Sequence, residues 1–285
     1  NIQQEKTQPV QIALRNLPPL VYGKDHAYGV PMTGSGTEES IASLERDDLV
    51  SFHQTWIRPD NATLFVTGDT TLEEIVPVLE DAFGNWRAPR SAVPRKNLAD
   101  VPLADTNRVL IIDKPGSPQS MVLAGHVAPP TGAEDNLAID TMTDIIGGQF
   151  TARVNMNLRE DKGWAYGAYT FSPDARGQRM WIAYAPVQTD RTGDSLSELV
   201  REFDEYTGDT PATQDELNKS VRNAVNSLPG QFETSNAVLG ALLSNQRFGR
   251  PDDYVTTLEA QYNALDLENI QGAAEEVVHP ERLTW

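Results

Sequence analysis

The sequence predicts an α+β fold in which helices and a β-sheet pack in two layers. Three observations lead to this prediction. Strand-like apolar runs and helical periodicities alternate between residues 108 and 187, a series of helices follows up to residue 247, and a helix–proline–strand unit occurs twice. The repeat indicates one nearly complete domain that is preceded by the C-terminal part of a homologous domain.

Four strand-like runs predict the sheet of the nearly complete domain. Two of them lie within residues 108–130 and are separated by a proline- and glycine-rich turn at 114–118. Two more, at 165–173 and 178–187, flank a turn that ends at Gly177. The second pair of runs, joined by this short turn, predicts antiparallel pairing.

The helices of this domain are predicted from the spacing of apolar residues and from residues that begin or end a helix. Gly147 and Gly163 each follow a helical pattern and are expected to end it, and Thr213 with Glu216 forms a capping box. The predicted helices are 136–146, 150–160, 195–206, 213–228 and 235–247. We expect them on one side of the sheet.

The repeat joins two distant segments of the chain. Residues 48–64 can be laid over residues 269–285 without a gap, at an offset of 221. The matched pairs are Leu49 with Ile270, Arg58 with His279, Pro59 with Pro280 and Thr63 with Thr284. Each copy is expected to form an amphipathic helix and then, after the proline, a strand.

The repeat also predicts the domain boundaries. Residues 1–90 are expected to form the C-terminal part of a first α+β domain, and residues 105–285 a second, homologous domain. The segment 91–104 is rich in proline and locally basic, as linkers often are.

Composition restricts the partners of the protein. Lys and Arg total 23 against 41 Asp and Glu, so a formal charge of −18 opposes contact with nucleic acid phosphates. The chain has no Cys, which excludes disulfides and thiolate metal sites. No run approaches the ~18 apolar residues of a membrane span, and we expect a soluble protein. Because the chain starts at Asn1 without Met, we expect it to be cut from a longer one. A signal peptide upstream would make the bacterial periplasm the expected location.

Three segments resemble one protein family, in the order in which that family has them. They are HAYGVPMTGSGTEESI at 26–41, RDDLVSFHQTWIRPDNATLFVTGD at 46–69 and GGQFTARVNMNLREDKGWAYGAYTF at 147–171. The family is that of the pitrilysin/insulinase-type (inverzincin) zinc metallopeptidases. The resemblance implies pairs of α+β domains that enclose a chamber where peptides are cleaved. The third segment is similar to the family's second, zinc-less half.

The zinc motif of the family, His-x-x-Glu-His, is absent from this sequence. Two explanations remain open: the motif was cut away from an active half, or this half never had it. In active halves a Glu-Glu-Ile element supplies the third zinc ligand, and Asn1 and Ile2 stand where Glu-Ile is expected. A shifted alignment offers Glu5 instead. We favour the naturally zinc-less half, with no cofactor in this chain and zinc in the partner half.

The resemblance implies two candidate catalytic residues. The zinc-less half contributes an Arg and a Tyr that lie seven residues apart, and Arg159 and Tyr166 have this spacing. Guanidinium and phenol groups can donate hydrogen bonds to the oxyanion that forms when zinc-bound water attacks a peptide carbonyl. The structural alternative is that Arg159 makes a surface salt bridge and Tyr166 packs as a strand aromatic.

The expected function is therefore that of a non-zinc-binding half, which completes the chamber of a zinc metalloendopeptidase and is inactive alone. Its expected partners are a zinc-bearing homologous half, in the same polypeptide or a separate subunit, and a peptide substrate. Two alternatives remain: a fragment of the zinc-bearing half, and a non-catalytic assembly scaffold resembling the family's core subunits in respiratory complexes.

Overall fold

The computed structural model describes residues 1–285, which form two compact units. Each unit is built from separate stretches of the chain. The first comprises 1–36, 97–227 and 256–285, and the second comprises 37–96 and 228–255. None of the helices combines the length and apolar character that crossing a bilayer requires.

The helices, in chain order, are α1 (Ile2–Glu5), α2 (Pro9–Tyr22), α3 (Glu38–Ser43), α4 (Arg46–Trp56), α5 (Leu72–Phe83), α6 (Asn136–Thr143), α7 (Arg153–Asn155), α8 (Thr192–Thr207), α9 (Gln214–Ser227), α10 (Ser235–Phe248), α11 (Tyr254–Asn263) and α12 (Leu267–Val277). Single π-helical turns, Asp144–Gly148 and Met156–Asp161, follow α6 and α7. The boundary between the two units falls inside α11.

An antiparallel sheet lies at the centre of the first unit. Its strands are β1 (Gln119–Ala128), β2 (Tyr169–Phe171) and β3 (Arg179–Gln188), in the order β1-β3-β2. Thr284 makes single bridges to Gly125 of β1 and, in parallel, to Arg108. The antiparallel pairing predicted between 165–173 and 178–187 is confirmed by β2 and β3.

The main core of the first unit lies between one face of the sheet and the helices that follow it. Trp181 of β3, Ile139 of α6, Phe203 of α8 and Ile270 of α12 are all fully buried there. The opposite face is also covered, because Leu17 and other apolar residues of α2 pack on β1 and β3. The sequence interpretation placed helices on one side only and assigned α2 to the preceding domain.

Arg58 organises the loops of the second unit. Its guanidinium is buried, pairs with Asp60 at 2.5 Å and donates to the carbonyl oxygens of Pro89 at 3.1 Å and Ser91 at 2.7 Å. These bonds join the end of α4 to the segment after α5. The apolar residues of α4 and α5 remain mostly exposed, including Leu49, which is 65% exposed.

The two copies of the repeat have the same local structure. α4 and α12 each span 11 residues and start at positions that differ by the predicted offset of 221. A short 3₁₀ helix follows in both, at Pro59–Asn61 and Pro280–Arg282. Their surroundings differ, because Ile270 of α12 is fully buried whereas its counterpart in α4 is exposed. The domain boundaries at 90 and 105 stay a prediction, since compact units do not test homology.

The predicted helices 195–206, 213–228 and 235–247 are confirmed as α8, α9 and α10. The Thr213 capping box is also present, with the Glu216 carboxylate accepting from the Thr213 N–H at 2.8 Å. Two predictions were wrong: residues 62–67 after Pro59 and residues 108–113 form no regular strand. An apolar run becomes a strand only where a neighbouring backbone pairs with it, and these runs lack that partner over most of their length.

Candidate functional site

The segment between α6 and β2 carries both candidate residues, and its glycines let it pack closely. A Cβ on Gly147 would lie 2.4 Å from the backbone nitrogen of Thr170, so only glycine fits against β2 here. This explains Gly147 as a packing residue. A Cβ on Gly148 would lie 2.7 Å from Oδ1 of Asp144, so this glycine also makes a close approach.

Arg159 lies in the π-helical turn that ends the helical segment after α7. Its backbone carbonyl accepts from the N–H of Gly163 at 3.1 Å, and the Leu158 carbonyl accepts from Trp164 at 2.9 Å and from Ala165 at 3.2 Å. Gly163 has φ +66°, the left-handed conformation that ends helices and favours glycine. The chain therefore reverses at Gly163.

Tyr166 follows directly after the chain has joined the sheet. The Trp164 carbonyl accepts from the Gln188 N–H at 2.9 Å, and Ala165 bridges to Val187 of β3. Tyr166 is 84% exposed and precedes β2, which starts at Tyr169. The reversal thus places an exposed phenol three residues after Gly163, on backbone that is fixed to β3.

The Arg159 side chain is held by an aromatic ring. Its Cζ atom lies 4.3 Å from the centroid of the Phe150 ring, within the range of a cation–π contact. Arg159 also forms the surface salt bridge of the structural alternative, with Glu160, but Oε1 of Glu160 lies 3.6 Å from Nε, which is beyond hydrogen-bonding distance. The side chain is 34% exposed.

Asn155 connects the two parts of the site. It is fully buried, its Nδ2 donates to the Phe150 carbonyl at 2.5 Å, and its Oδ1 accepts from the Ala168 N–H at 3.1 Å. One side-chain amide therefore ties the Phe150 loop to the segment that carries Tyr166. The sequence interpretation missed the roles of Phe150 and Asn155, although both lie inside the motif that it quoted.

Trp164 packs partly buried against the main core and is flanked by cations. Lys162 Nζ lies 5.6 Å and Arg191 Cζ 5.7 Å from its ring.

Near the same helical segment, Glu198 accepts a hydrogen bond from Asn157 Nδ2 at 2.8 Å. Hydrogen bonds from Arg201 first, and then Asn157, hold the pKa of Glu198 below its usual value.

No group of three or more His, Asp or Glu residues has a geometry that could hold a metal ion. His126 and His279 come closest to each other, with ring centroids 5.7 Å apart. Glu5, the alternative ligand, is engaged by Arg15 at 2.5 Å and by Ser35. These bonds lower the pKa of Glu5, with the Ser35 hydroxyl as the largest cause.

Solved structures share this fold. The peptidase M16 inactive domain from Pseudomonas fluorescens superposes with a TM-score of 0.86 at 19% identity, over 99% of this chain and 66% of that one. A chain of complex III2 from Candida albicans gives a TM-score of 0.78 at 12% identity, over 99% of this chain and 67% of that one. The fold is therefore that of the metallopeptidase-type α+β domains.

The sequence comparisons specify the family. The profile described as Peptidase M16 inactive domain matches residues 43–224, and the chain belongs to this family. It is 24% identical over 256 residues to an uncharacterized zinc protease, YmxG, of Bacillus subtilis. That match covers 90% of this chain and 60% of the relative, so the chain spans about three fifths of the relative's length. The resemblance to the zinc-less half of pitrilysin-type peptidases is confirmed.

Proposed function

We propose that this chain completes the chamber of a zinc metalloendopeptidase and supplies Arg159 and Tyr166 as donors to the oxyanion of peptide hydrolysis. The observation that carries this proposal is the state of Arg159. Its guanidinium lies on the Phe150 ring, is partly exposed and forms no side-chain hydrogen bond within the chain. Its N–H groups therefore remain free to donate to a ligand.

The reversal at Gly163 supports the pairing of the two donors. It links the end of the helical segment, which carries Arg159, to sheet-bound backbone, which carries the exposed Tyr166. Donors on rigid backbone need little reorganisation when negative charge develops on the substrate oxygen. A zinc-bearing half, in the same polypeptide or a separate subunit, would hold the metal, and the substrate would be a peptide. A periplasmic location belongs to the same proposal if a signal peptide precedes Asn1.

The proposal includes the predicted domain organisation. The identical local structure of α4 and α12 supports the assignment of residues 1–90 to the end of a first domain, with 91–104 as linker and 105–285 as the second domain. The exposed apolar face of α4 would then be covered in the parent protein as that of α12 is covered here. An assembly scaffold is the second candidate function, favoured by the likeness of the fold to a chain of complex III2.

Steady-state peptide cleavage by the assembled peptidase tests the proposal. Arg159→Ala or Tyr166→Phe should each lower kcat by about 10²–10³-fold with a small effect on KM, because an oxyanion donor acts mainly in the transition state. Arg282→Ala and Tyr169→Phe are matched controls, since Arg282 also pairs with an adjacent glutamate, at 3.1 Å, and Tyr169 lies in β2. If kcat is unchanged in both Arg159→Ala and Tyr166→Phe, the proposed donor role is refuted and the assembly scaffold remains as the candidate function.

A further inference from the structure

Phe150 is an exposed aromatic residue whose position the main core does not explain. It is 55% exposed and lies in the loop between the π-helical turn Asp144–Gly148 and α7. Its ring contacts the guanidinium of Arg159, with Cζ 4.3 Å from the ring centroid. The ring therefore contacts a charged group rather than a part of the core.

A guanidinium that contacts an aromatic ring keeps its hydrogen-bonding capacity. Arginine carries five N–H donors, and a phenylalanine ring has no nitrogen or oxygen atom that would accept a conventional hydrogen bond from them. The contact consequently restrains Arg159 without using any of its donors. A carboxylate partner would restrain the side chain by occupying those donors, as Glu216 does for Arg153 with two bonds of 2.7 Å.

Asn155 fixes the backbone of Phe150 relative to the segment that carries Tyr166, the second proposed donor. Its buried amide holds the Phe150 carbonyl at 2.5 Å and the Ala168 N–H at 3.1 Å. Ala168 is two residues after Tyr166. The loop under Arg159 and the segment of Tyr166 are therefore attached to the same side chain.

We propose that Phe150 is a positioning residue that holds the Arg159 guanidinium in place for the substrate, with Asn155 fixing the loop that carries the ring. This inference rests on the proposed role of Arg159 in peptide hydrolysis. Phe150 acts through Arg159 and donates nothing to the substrate. Its removal should therefore lower kcat only where Arg159 is present.

A double-mutant cycle in the assembled peptidase tests this dependence. Phe150→Leu should lower kcat by roughly 3- to 30-fold with little change in KM, the range expected for loss of a cation–π contact. Phe150→Tyr, which keeps the ring, should restore activity to within about 2-fold of the wild type. In the Arg159→Ala background, Phe150→Leu should cause no further loss. Phe248→Leu is the matched control, because Phe248 also contacts an arginine, with Arg250 Cζ 5.4 Å from its ring, outside the site.

A second measurement separates this inference from the proposed function. NMR relaxation of the Arg159 Nε–Hε group in the 285-residue chain reports how firmly the guanidinium is held, whether or not peptide is cleaved. Its order parameter should fall in Phe150→Leu and stay unchanged in Phe248→Leu. An unchanged order parameter, or equal kcat losses from Phe150→Leu in both backgrounds, would overturn the inference. Unchanged kcat in Arg159→Ala would instead overturn the proposed function.

Discussion

The two copies of the repeat offer a stability test in which the chain supplies its own control. Ile270 of α12 is 0% exposed, whereas Leu49, at the equivalent position of α4, is 65% exposed. Truncation of a buried isoleucine to alanine removes buried apolar surface and leaves a cavity, at a cost of about 2–5 kcal/mol. Ile270→Ala should therefore destabilise the first unit by about 3 kcal/mol, and Leu49→Ala should change stability by less than ~0.5 kcal/mol.

Amide hydrogen exchange, measured for each helix by mass spectrometry, tests the stability change expected for each of the two variants. A loss of about 3 kcal/mol corresponds to an increase in the exchange of α12 by roughly 100-fold, because 1.4 kcal/mol is a factor of ten. Ile270→Val, which removes one methylene, should cost about 1 kcal/mol. A cost of this size would show that the effect scales with the volume removed. A cost for Leu49→Ala as large as that for Ile270→Ala would mean that the α4 face is already covered, and would refute the reasoning.

Three further predictions concern protons and metal. Burial lowers the pKa of His126 from 6.5 to about 4. Stability should therefore fall by on the order of 3 kcal/mol as the pH decreases from 6.5 to 4. Acid titration of the urea midpoint should show this loss, and His126→Phe, which keeps a ring against Trp181, should abolish it. A hydrogen bond with Asp135 raises the pKa of Glu276 from 4.5 to about 7, so stability should instead fall as the pH rises from 4.5 to 7, and this fall should be absent in Glu276→Gln. Elemental analysis of the dialysed chain should find far less than one zinc per chain, and stoichiometric zinc would contradict the zinc-less assignment.

Sequence patterns predicted the helices better than the strands because the two depend on different information. A helix pairs its own backbone groups, so local signals such as the Thr213 capping box determine where α9 begins. A strand needs a neighbour, and the sequence does not state which run pairs with which. The run at 108–113 has a backbone partner only at its beginning, where Arg108 bridges to Thr284 and Leu110 donates to the Trp285 carbonyl at 2.8 Å.

The candidate donors were predicted from the family motif, whereas the residues that hold them were not. Spacing and resemblance select Arg159 and Tyr166, and their role stays a prediction. The contact of Phe150 with Arg159 and the Asn155 amide bridge join residues 5 to 13 positions apart, at spacings that no helical or strand period specifies. The sequence shows an asparagine and a phenylalanine there, and nothing local specifies what they contact.

The motif contains two arginines, and their contacts differ in a way that explains why only Arg159 is proposed as a donor. Arg153 donates through Nε and Nη2 to Glu216 and through Nη2 to the Pro211 carbonyl at 2.9 Å, and its Cζ lies 4.9 Å from the Tyr206 ring. A guanidinium used in this way anchors α9 and cannot reach a substrate without breaking those bonds. Arg159 contacts a ring, and its salt bridge to Glu160, at 3.6 Å, is too long for a hydrogen bond. The difference in hydrogen bonding, rather than the shared charge, assigns a structural role to Arg153 and leaves the donors of Arg159 free for the role proposed above.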